Sequence, residues 1–215
     1  SSQLLGSQND MATIRLREYR AMSLLLPNQS TEKRLPSEFY VEGYATTFND
    51  PYVLYEYDGV KYMEQIDRHA LDEADMSDVI MQYDHTGRVL ARNSNGSLLL
   101  EPNQHGLFIA ADLSRSEAAR NMYEEINAGL VNRMSWAFQV EKDAYDRATR
   151  TRTILKISKL YDVSAVSMPA NPATEISARS YFDGVIEAER QERLAAWAAA
   201  RKKQRLKLYL EVIGT

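Results

Sequence analysis

One run, residues 130–140, restricts the fold of this chain more than any other segment. Counted along an extended chain, Trp136 and Phe138 point to one face, whereas Ser135 and Ala137 point to the other. A period of two predicts a β-strand with a bulky face in the core and a small, polar face around a hydroxyl group. We expect the small face to leave room for another molecule to approach Ser135.

Most of the remaining chain also predicts strands. Runs rich in β-branched and aromatic residues occur at residues 14–26, 39–48, 52–66, 79–83, 87–100, 106–113 and 153–168. Residues 141–152 are charged and predict a turn. Helices are expected at residues 68–75, capped by Asp67, and after a capping box at Ser114–Glu117. The expected fold class is therefore mainly β with flanking helices (α+β).

The length of 215 residues, 44% of them hydrophobic, fits one domain with an appendage better than two domains. From Asp183 onward the composition is helical and acidic residues precede basic ones, as the helix dipole favours. We therefore expect a main domain at residues 11–180 and a helical tail at residues 181–215. Residues 1–10 precede Met11, read as a cloning remnant, and are left out of the fold prediction.

Composition excludes several kinds of chemistry. The chain has no cysteine, which excludes disulfides, a cysteine nucleophile and thiolate metal sites. A formal charge of -4 provides no overall attraction to nucleic acid. No apolar stretch is long enough to span a bilayer and no signal peptide is evident, so we expect a soluble protein. The three histidines lack metal-ligand spacing and no glycine-rich phosphate loop is present, so neither a metal nor a cofactor is expected.

A serine hydroxyl becomes a useful nucleophile when an imidazole takes its proton and a third group orients that imidazole. His85 follows the apolar run 79–83, and Asp162 lies in a β-rich run, where a carboxylate needs a hydrogen-bonded partner. Only the folded chain can bring these distant residues to Ser135. We predict that Ser135, His85 and Asp162 form the catalytic set of a serine peptidase.

Each of these residues also has a purely structural interpretation. Most serines on a sheet face do no chemistry. His85 also fits a turn that its neighbour Asp84 caps. The Asp162 carboxylate could instead be satisfied by Arg133 or Lys159, with no catalytic consequence. Two other histidines compete with His85, although their positions beside a helix cap and in a polar turn favour exposure: His69 and His105.

Six segments occur in the order found in tailed-phage prohead maturation proteases. They are Val41–Phe48, the Asp84-His85 pair, Gly87–Leu90, Gly106-Leu107, Met134–Phe138 and Tyr161–Pro172. Each motif alone is weak. The ordered set is specific, because a serine in Met-Ser-Trp followed by Asp-Val-Ser and a Pro-Ala-Asn-Pro turn seldom recurs by chance. The chain resembles this family over about residues 14–180.

This resemblance implies a herpesvirus-assemblin-like fold, a closed or nearly closed β-barrel with flanking helices. It implies that Ser135 is the nucleophile, His85 the general base and Asp162 the orienting third residue. Many relatives have glutamate where this chain has Asp162, and glycine where it has Ala137.

The resemblance also implies an oxyanion hole. Backbone N–H groups near Ala170 and Asn171 match the position of these donors in the viral relatives. The alternative is that Pro169 and Pro172 simply impose a rigid turn.

The function implied by the resemblance is that of a serine endopeptidase, with residues 11–180 as its protease domain. Its expected substrates are the scaffold or scaffold-like extension of the major capsid protein and the protease itself, with self-association as a further expectation. Its expected location is the immature capsid in the host cytoplasm. The alternative function is that of a non-catalytic capsid-assembly or scaffolding protein on the same fold, which would have no reason to retain the catalytic set.

Three interpretations of the tail at residues 181–215 stay open. It is a solvated charged helix, as mixed charge runs usually are. It is an assembly or targeting segment that docks on capsid or scaffold partners through Leu194, Trp197 and residues 206–210. Nucleic-acid binding by residues 201–205 is the least favoured, because no interleaved aromatic residues accompany the basic run.

Overall fold

The protein is described by a computed structural model that covers residues 17–24, 26–27, 32–167 and 172–213, with side chains at residues 17–20, 32–167 and 178–209. The elements in these ranges are β1 (Glu18–Leu24), β2 (Leu26–Pro27), β3 (Tyr40–Thr47), β4 (Tyr52–Tyr57), β5 (Val60–Ile66), β6 (Ile80–Tyr83), β7 (Ala91–Arg92), a 3-10 turn (Asn93–Asn95), β8 (Leu98–Pro102), β9 (Gly106–Asp112), α1 (Glu117–Asn127), β10 (Arg133–Asp146), β11 (Thr151–Val166) and α2 (Pro172–Ile213).

The larger sheet is organised around β11. Its strand order is β1-β10-β11-β5-β4, and β6 joins β11 and carries β7 at its outer side. Antiparallel β10 runs along β11 as a long hairpin. The first half of β11 pairs in parallel with β5, and the second half pairs in parallel with β6. Because β11 is long enough to pair with β5 along one half and with β6 along the other, it connects β10 to both parallel strands.

The smaller sheet has the order β2-β3-β9-β8, and all of its pairs are antiparallel. The two sheets together with two helices confirm the predicted α+β class, mainly β. Among the described residues the two sheets are separate, and no closed barrel is found. The assemblin-like barrel therefore stays a prediction.

One hydrophobic core joins both sheets and α1. The bulky face of β10 lies within it, as predicted: Trp136 and Phe138 are fully buried and their rings are 4.1 Å apart. Helix α1 contributes Met122 and Ile126 to the same core. The alternation in residues 130–140 therefore predicted both the strand and the face that packs.

Local predictions were less accurate. The segment at residues 68–75 forms consecutive turns rather than a helix, and the Asp67 carboxylate accepts a hydrogen bond from the backbone N–H of His69. Helix α1 is capped by Ser116, not Ser114, and the Ser116 hydroxyl accepts from the Ala119 N–H. The predicted turn at residues 141–152 is mostly strand, because the β10–β11 pairing continues until only four residues join the two strands.

Helix α2 begins at Pro172, inside the predicted main domain, and extends through the predicted tail. Its first turns are anchored to the sheet by Phe182, which is fully buried against the rings of Tyr55 and Tyr62. Farther along, Glu192 accepts two hydrogen bonds from Arg147. All described side chains from residue 191 to 209 are exposed. The division into residues 11–180 and 181–215 stays a prediction.

Candidate active site

Three adjacent strands bring the predicted catalytic residues together. Ser135 on β10 lies opposite Ser164 of β11 in the antiparallel register. On the other side of β11, Asp162 is paired with Ile80 of parallel β6. His85 lies two residues beyond the end of β6. The order β6-β11-β10 thus places the imidazole, the carboxylate and the hydroxyl side by side.

A tight turn directs His85 toward the sheet. The N–H groups of Thr86 and Gly87 both donate to the carbonyl of Tyr83. Within this turn Asp84 and His85 have φ values of 46° and 60°, in the left-handed region that non-glycine residues rarely adopt. Such a conformation persists only when surrounding contacts impose it, and it is common at functional sites.

The Asp84 carboxylate supplies one of these contacts. It accepts hydrogen bonds from the backbone N–H and the hydroxyl of Ser167, at 3.1 and 3.2 Å. Asp84 therefore attaches the turn to the residue that follows β11, which differs from the predicted cap on Thr86 and Gly87.

The three predicted residues form one hydrogen-bonded chain. The Ser135 hydroxyl lies 2.7 Å from His85 Nε2, and His85 Nδ1 lies 2.5 Å from Asp162 Oδ1. A carboxylate only accepts hydrogen bonds, so His85 Nδ1 carries the hydrogen and donates a hydrogen bond to Asp162. His85 Nε2 is then the free acceptor for the Ser135 hydroxyl. This tautomer is the one that a general base for Ser135 requires.

The three side chains of this hydrogen-bonded chain are buried. Ser135 is 0% exposed, Asp162 is 1% exposed, and the His85 side chain is 4% exposed. Ala137, on the same face of β10, is also fully buried. The expectation of open space beside the hydroxyl is therefore wrong for this conformation.

Two further side chains, for which the sequence indicates no role, contact the site. The Ser164 hydroxyl donates to Asp162 Oδ1 over 2.7 Å. The ring of Tyr19 on β1 meets the His85 ring edge to face, with centroids 4.8 Å apart. The spacing Asp162-Val-Ser164 does place both polar side chains on one strand face. No local signal connects Tyr19 to His85, because β1 reaches the site only through its pairing with β10.

The competing residues lie outside this chain of hydrogen bonds. His69 is largely exposed and pairs with Asp72. His105 is exposed and packs edge to face on Tyr44. Lys159, an alternative partner for Asp162, instead pairs with Asp75 over 3.1 Å.

Some predicted features lie beyond these observations. Ala170 and Asn171, the predicted oxyanion donors, lie outside the described residues. In the described ranges, no group of three or more histidine, aspartate or glutamate side chains is arranged to hold a metal ion. No described helix is both long and apolar enough to cross a membrane.

Comparison with known proteins identifies a family. The chain matches the family described as caudovirus prohead serine protease over residues 28–185. Searches of curated proteins and of solved structures give no match. The family match covers both sheets from β3 onward, the turn that carries His85, and the two strands that carry Ser135 and Asp162. Because it spans well over half of the 215 residues, the chain belongs to the caudovirus prohead serine protease family.

Proposed function

We propose that this protein is the endopeptidase that cleaves the scaffold, or the scaffold-like extension of the major capsid protein, during prohead maturation. We further propose that it cleaves itself and acts inside the immature capsid in the host cell. Family membership supports a serine protease that meets capsid components. The observation that carries the proposal is the buried hydrogen-bonded chain from Ser135 through His85 to Asp162.

In the proposed mechanism, Ser135 Oγ attacks the carbonyl carbon of the scissile peptide bond while His85 Nε2 takes the hydroxyl proton. The resulting imidazolium is stabilised by the Asp162 carboxylate, which stays ionised. His85 then gives its proton to the leaving amine, and the C–N bond breaks. Water repeats the sequence on the acyl-enzyme and releases Ser135.

The electrostatic side of this mechanism follows from burial. Opposite charges attract each other more strongly in a water-excluded site than in solvent, so the Asp162 carboxylate attracts the imidazolium that forms on His85 more strongly than a surface carboxylate would. The negative oxygen that develops on the substrate needs donors of its own. We propose the backbone N–H groups of Ala170 and Asn171 for this role.

Co-expression of the protein with the major capsid protein precursor and its scaffold segment tests whether Ser135 is the nucleophile. We expect cleavage of the precursor and of the protease itself with the wild type. Ser135→Ala should reduce both cleavage reactions by roughly 10⁴-fold or more, because the substitution deletes the oxygen atom that acts as the nucleophile. Mass spectrometry of the products measures the cleavage.

The matched control is Ser158→Ala on β11, whose hydroxyl donates to the backbone carbonyl of Gln139 rather than to the site. It should cleave like the wild type. Cleavage that survives in Ser135→Ala would contradict the proposed nucleophile. A wild type that assembles with capsids without cutting any chain would instead favour the non-catalytic assembly function.

A further inference from the structure

The Ser164 hydroxyl occupies the far end of the hydrogen-bonded chain that begins at Ser135. It donates to Asp162 Oδ1 over 2.7 Å, and this same oxygen accepts from His85 Nδ1 over 2.5 Å. Both donors therefore converge on one carboxylate oxygen. The order of contacts is Ser135, His85, Asp162 and Ser164.

The strand geometry places Ser164 in this position. Asp162 and Ser164 are two residues apart on β11, so their side chains share a face. Ser164 is also the cross-strand partner of Ser135 on β10 and pairs with Gln82 of β6 on its other side. The same three strands that align the catalytic set thus also hold the Ser164 backbone.

Burial determines what the Ser164 hydroxyl does there. Ser164 is 0% exposed and Asp162 is 1% exposed, so water does not substitute for the hydroxyl. Because a carboxylate cannot donate, the hydroxyl hydrogen of Ser164 is committed to Oδ1. A hydrogen bond to a charged acceptor in such surroundings is stronger than one between neutral groups. It restrains rotation of the carboxylate and keeps Oδ1 directed at the imidazole.

We propose that Ser164 is a positioning residue that acts through Asp162 and so completes a four-residue arrangement around the nucleophile. This proposal rests on the proposed function, because it assigns Ser164 to the same reaction. Ser164 touches neither the substrate nor the Ser135 hydroxyl in this role. Its contribution lies in the orientation of Asp162, and hence of the His85 ring.

An organofluorophosphonate tests this role without knowledge of the natural substrate. In the labelling reaction Ser135 Oγ forms a bond to phosphorus, the P–F bond breaks, fluoride leaves, and the hydroxyl proton passes to His85 Nε2. Ser164→Ala should lower the maximal labelling rate about 10-fold and leave the probe concentration for half-maximal rate unchanged, as expected when a hydrogen bond to a charged group is lost. Ser158→Ala, on the same strand, should label like the wild type.

A double-mutant cycle separates positioning from packing. If Ser164 acts through Asp162, Ser164→Ala should cost less than about 2-fold in an Asp162→Asn background, because interacting residues are not additive. A merely structural residue would lower the rate by the same factor in both backgrounds. Equal factors would therefore overturn the proposal, as would wild-type labelling of Ser164→Ala.

A second measurement does not depend on reactivity. In Ser135→Ala protein, the proton of His85 Nδ1 that bonds Asp162 should give a downfield NMR resonance. Adding Ser164→Ala should shift or broaden this resonance, whereas adding Ser158→Ala should not. An unchanged resonance after adding Ser164→Ala would overturn the positioning role. A wild type that the probe does not label at Ser135 would instead refute the proposed nucleophile. Failure of the proposed function and failure of the Ser164 proposal are therefore distinguishable.

Discussion

At the scale of single residues, the catalytic proposal depends on an unusual local conformation. His85 lies in the left-handed region, and its ring contacts Asp162, Ser135 and the ring of Tyr19. Conformational strain of this kind costs of order 1–3 kcal/mol. The hydrogen bonds from Ser167 to Asp84 help to offset that cost, because they tie the turn to the end of β11.

The charge of Asp162 is the feature of this residue that catalysis requires. We predict that Asp162→Asn lowers fluorophosphonate labelling of Ser135 by roughly 10²–10⁴-fold, because a neutral amide neither stabilises the imidazolium nor enforces the productive tautomer. Asp162→Glu keeps the charge, and its added methylene must fit a buried site, so its loss should be smaller. Wild-type labelling by the asparagine variant would contradict the assigned role.

At the scale of elements, α2 is attached to the sheet by its first turns. The Phe182 ring lies 5.0 Å from that of Tyr62 and 6.3 Å from that of Tyr145, and the neighbouring Tyr181 ring stacks under the Arg152 guanidinium at 4.1 Å. Beyond residue 190 the described side chains are exposed. The described side chains that α2 buries against the rest of the protein thus lie near its beginning.

Removing the aromatic anchor should destabilise the protein. We predict that Phe182→Ala lowers the free energy of unfolding by about 3–5 kcal/mol, the usual cost of deleting a fully buried phenylalanine ring. Leu194→Ala, at a site on the same helix that is 51% exposed, should change it by less than about 0.5 kcal/mol. Urea unfolding of the two variants measures the difference, and equal losses would contradict the anchor.

At the scale of the whole molecule, a buried ionic cluster joins strands that are distant in sequence. Glu64 on β5 is fully buried and accepts hydrogen bonds from Arg20 of β1 at 2.6 and 2.9 Å. It also accepts from Arg152 of β11 at 3.1 Å and from the Tyr52 hydroxyl of β4. Buried charges are tolerated only when paired, so the cluster requires these strands to be in their correct order.

Ionisation of Glu18, at the edge of the cluster, makes the stability of the folded protein depend on pH. Burial acts to raise the pKa of Glu18, but the hydrogen bond from Arg152 and the charges of Arg20 and Arg152 outweigh it, so its pKa lies below the ordinary value. A carboxyl group with a lowered pKa in the folded state stabilises the fold above its unfolded-state pKa of about 4.3. That contribution is lost as the pH falls through the folded-state pKa.

We therefore predict that the Tm of the wild type falls as the pH is lowered from about 5. Glu18→Gln should lower the Tm at neutral pH and make the acid-induced fall shallower, because the variant no longer titrates at this position. The matched control is Glu56→Gln at an exposed position on β4, which should keep the wild-type slope. Thermal unfolding followed by circular dichroism from pH 7 to pH 3 provides the measurement, and identical slopes for Glu18→Gln and the wild type would contradict the prediction.

Sequence alone determined the features of this protein that depend on neighbouring residues. The period of two in residues 130–140 predicted the strand that presents Ser135, with Trp136 and Phe138 in the core. The ordered motifs predicted the family. Residue chemistry and motif order indicate His85 and Asp162, and neither signal depends on how far apart the residues lie in space.

Only the tertiary structure decided how these residues meet. The 2.7 and 2.5 Å contacts arise because β6 and β10 pair with the same half of β11, and strand register is set by the whole sheet. The pairing of β1 with β10 brings Tyr19 to His85, and the pairing of β5 with the first half of β11 brings Glu64 beside Arg152. Periodicity is a local property of a chain, whereas the burial and hydrogen bonding of one polar group depend on segments far away in sequence.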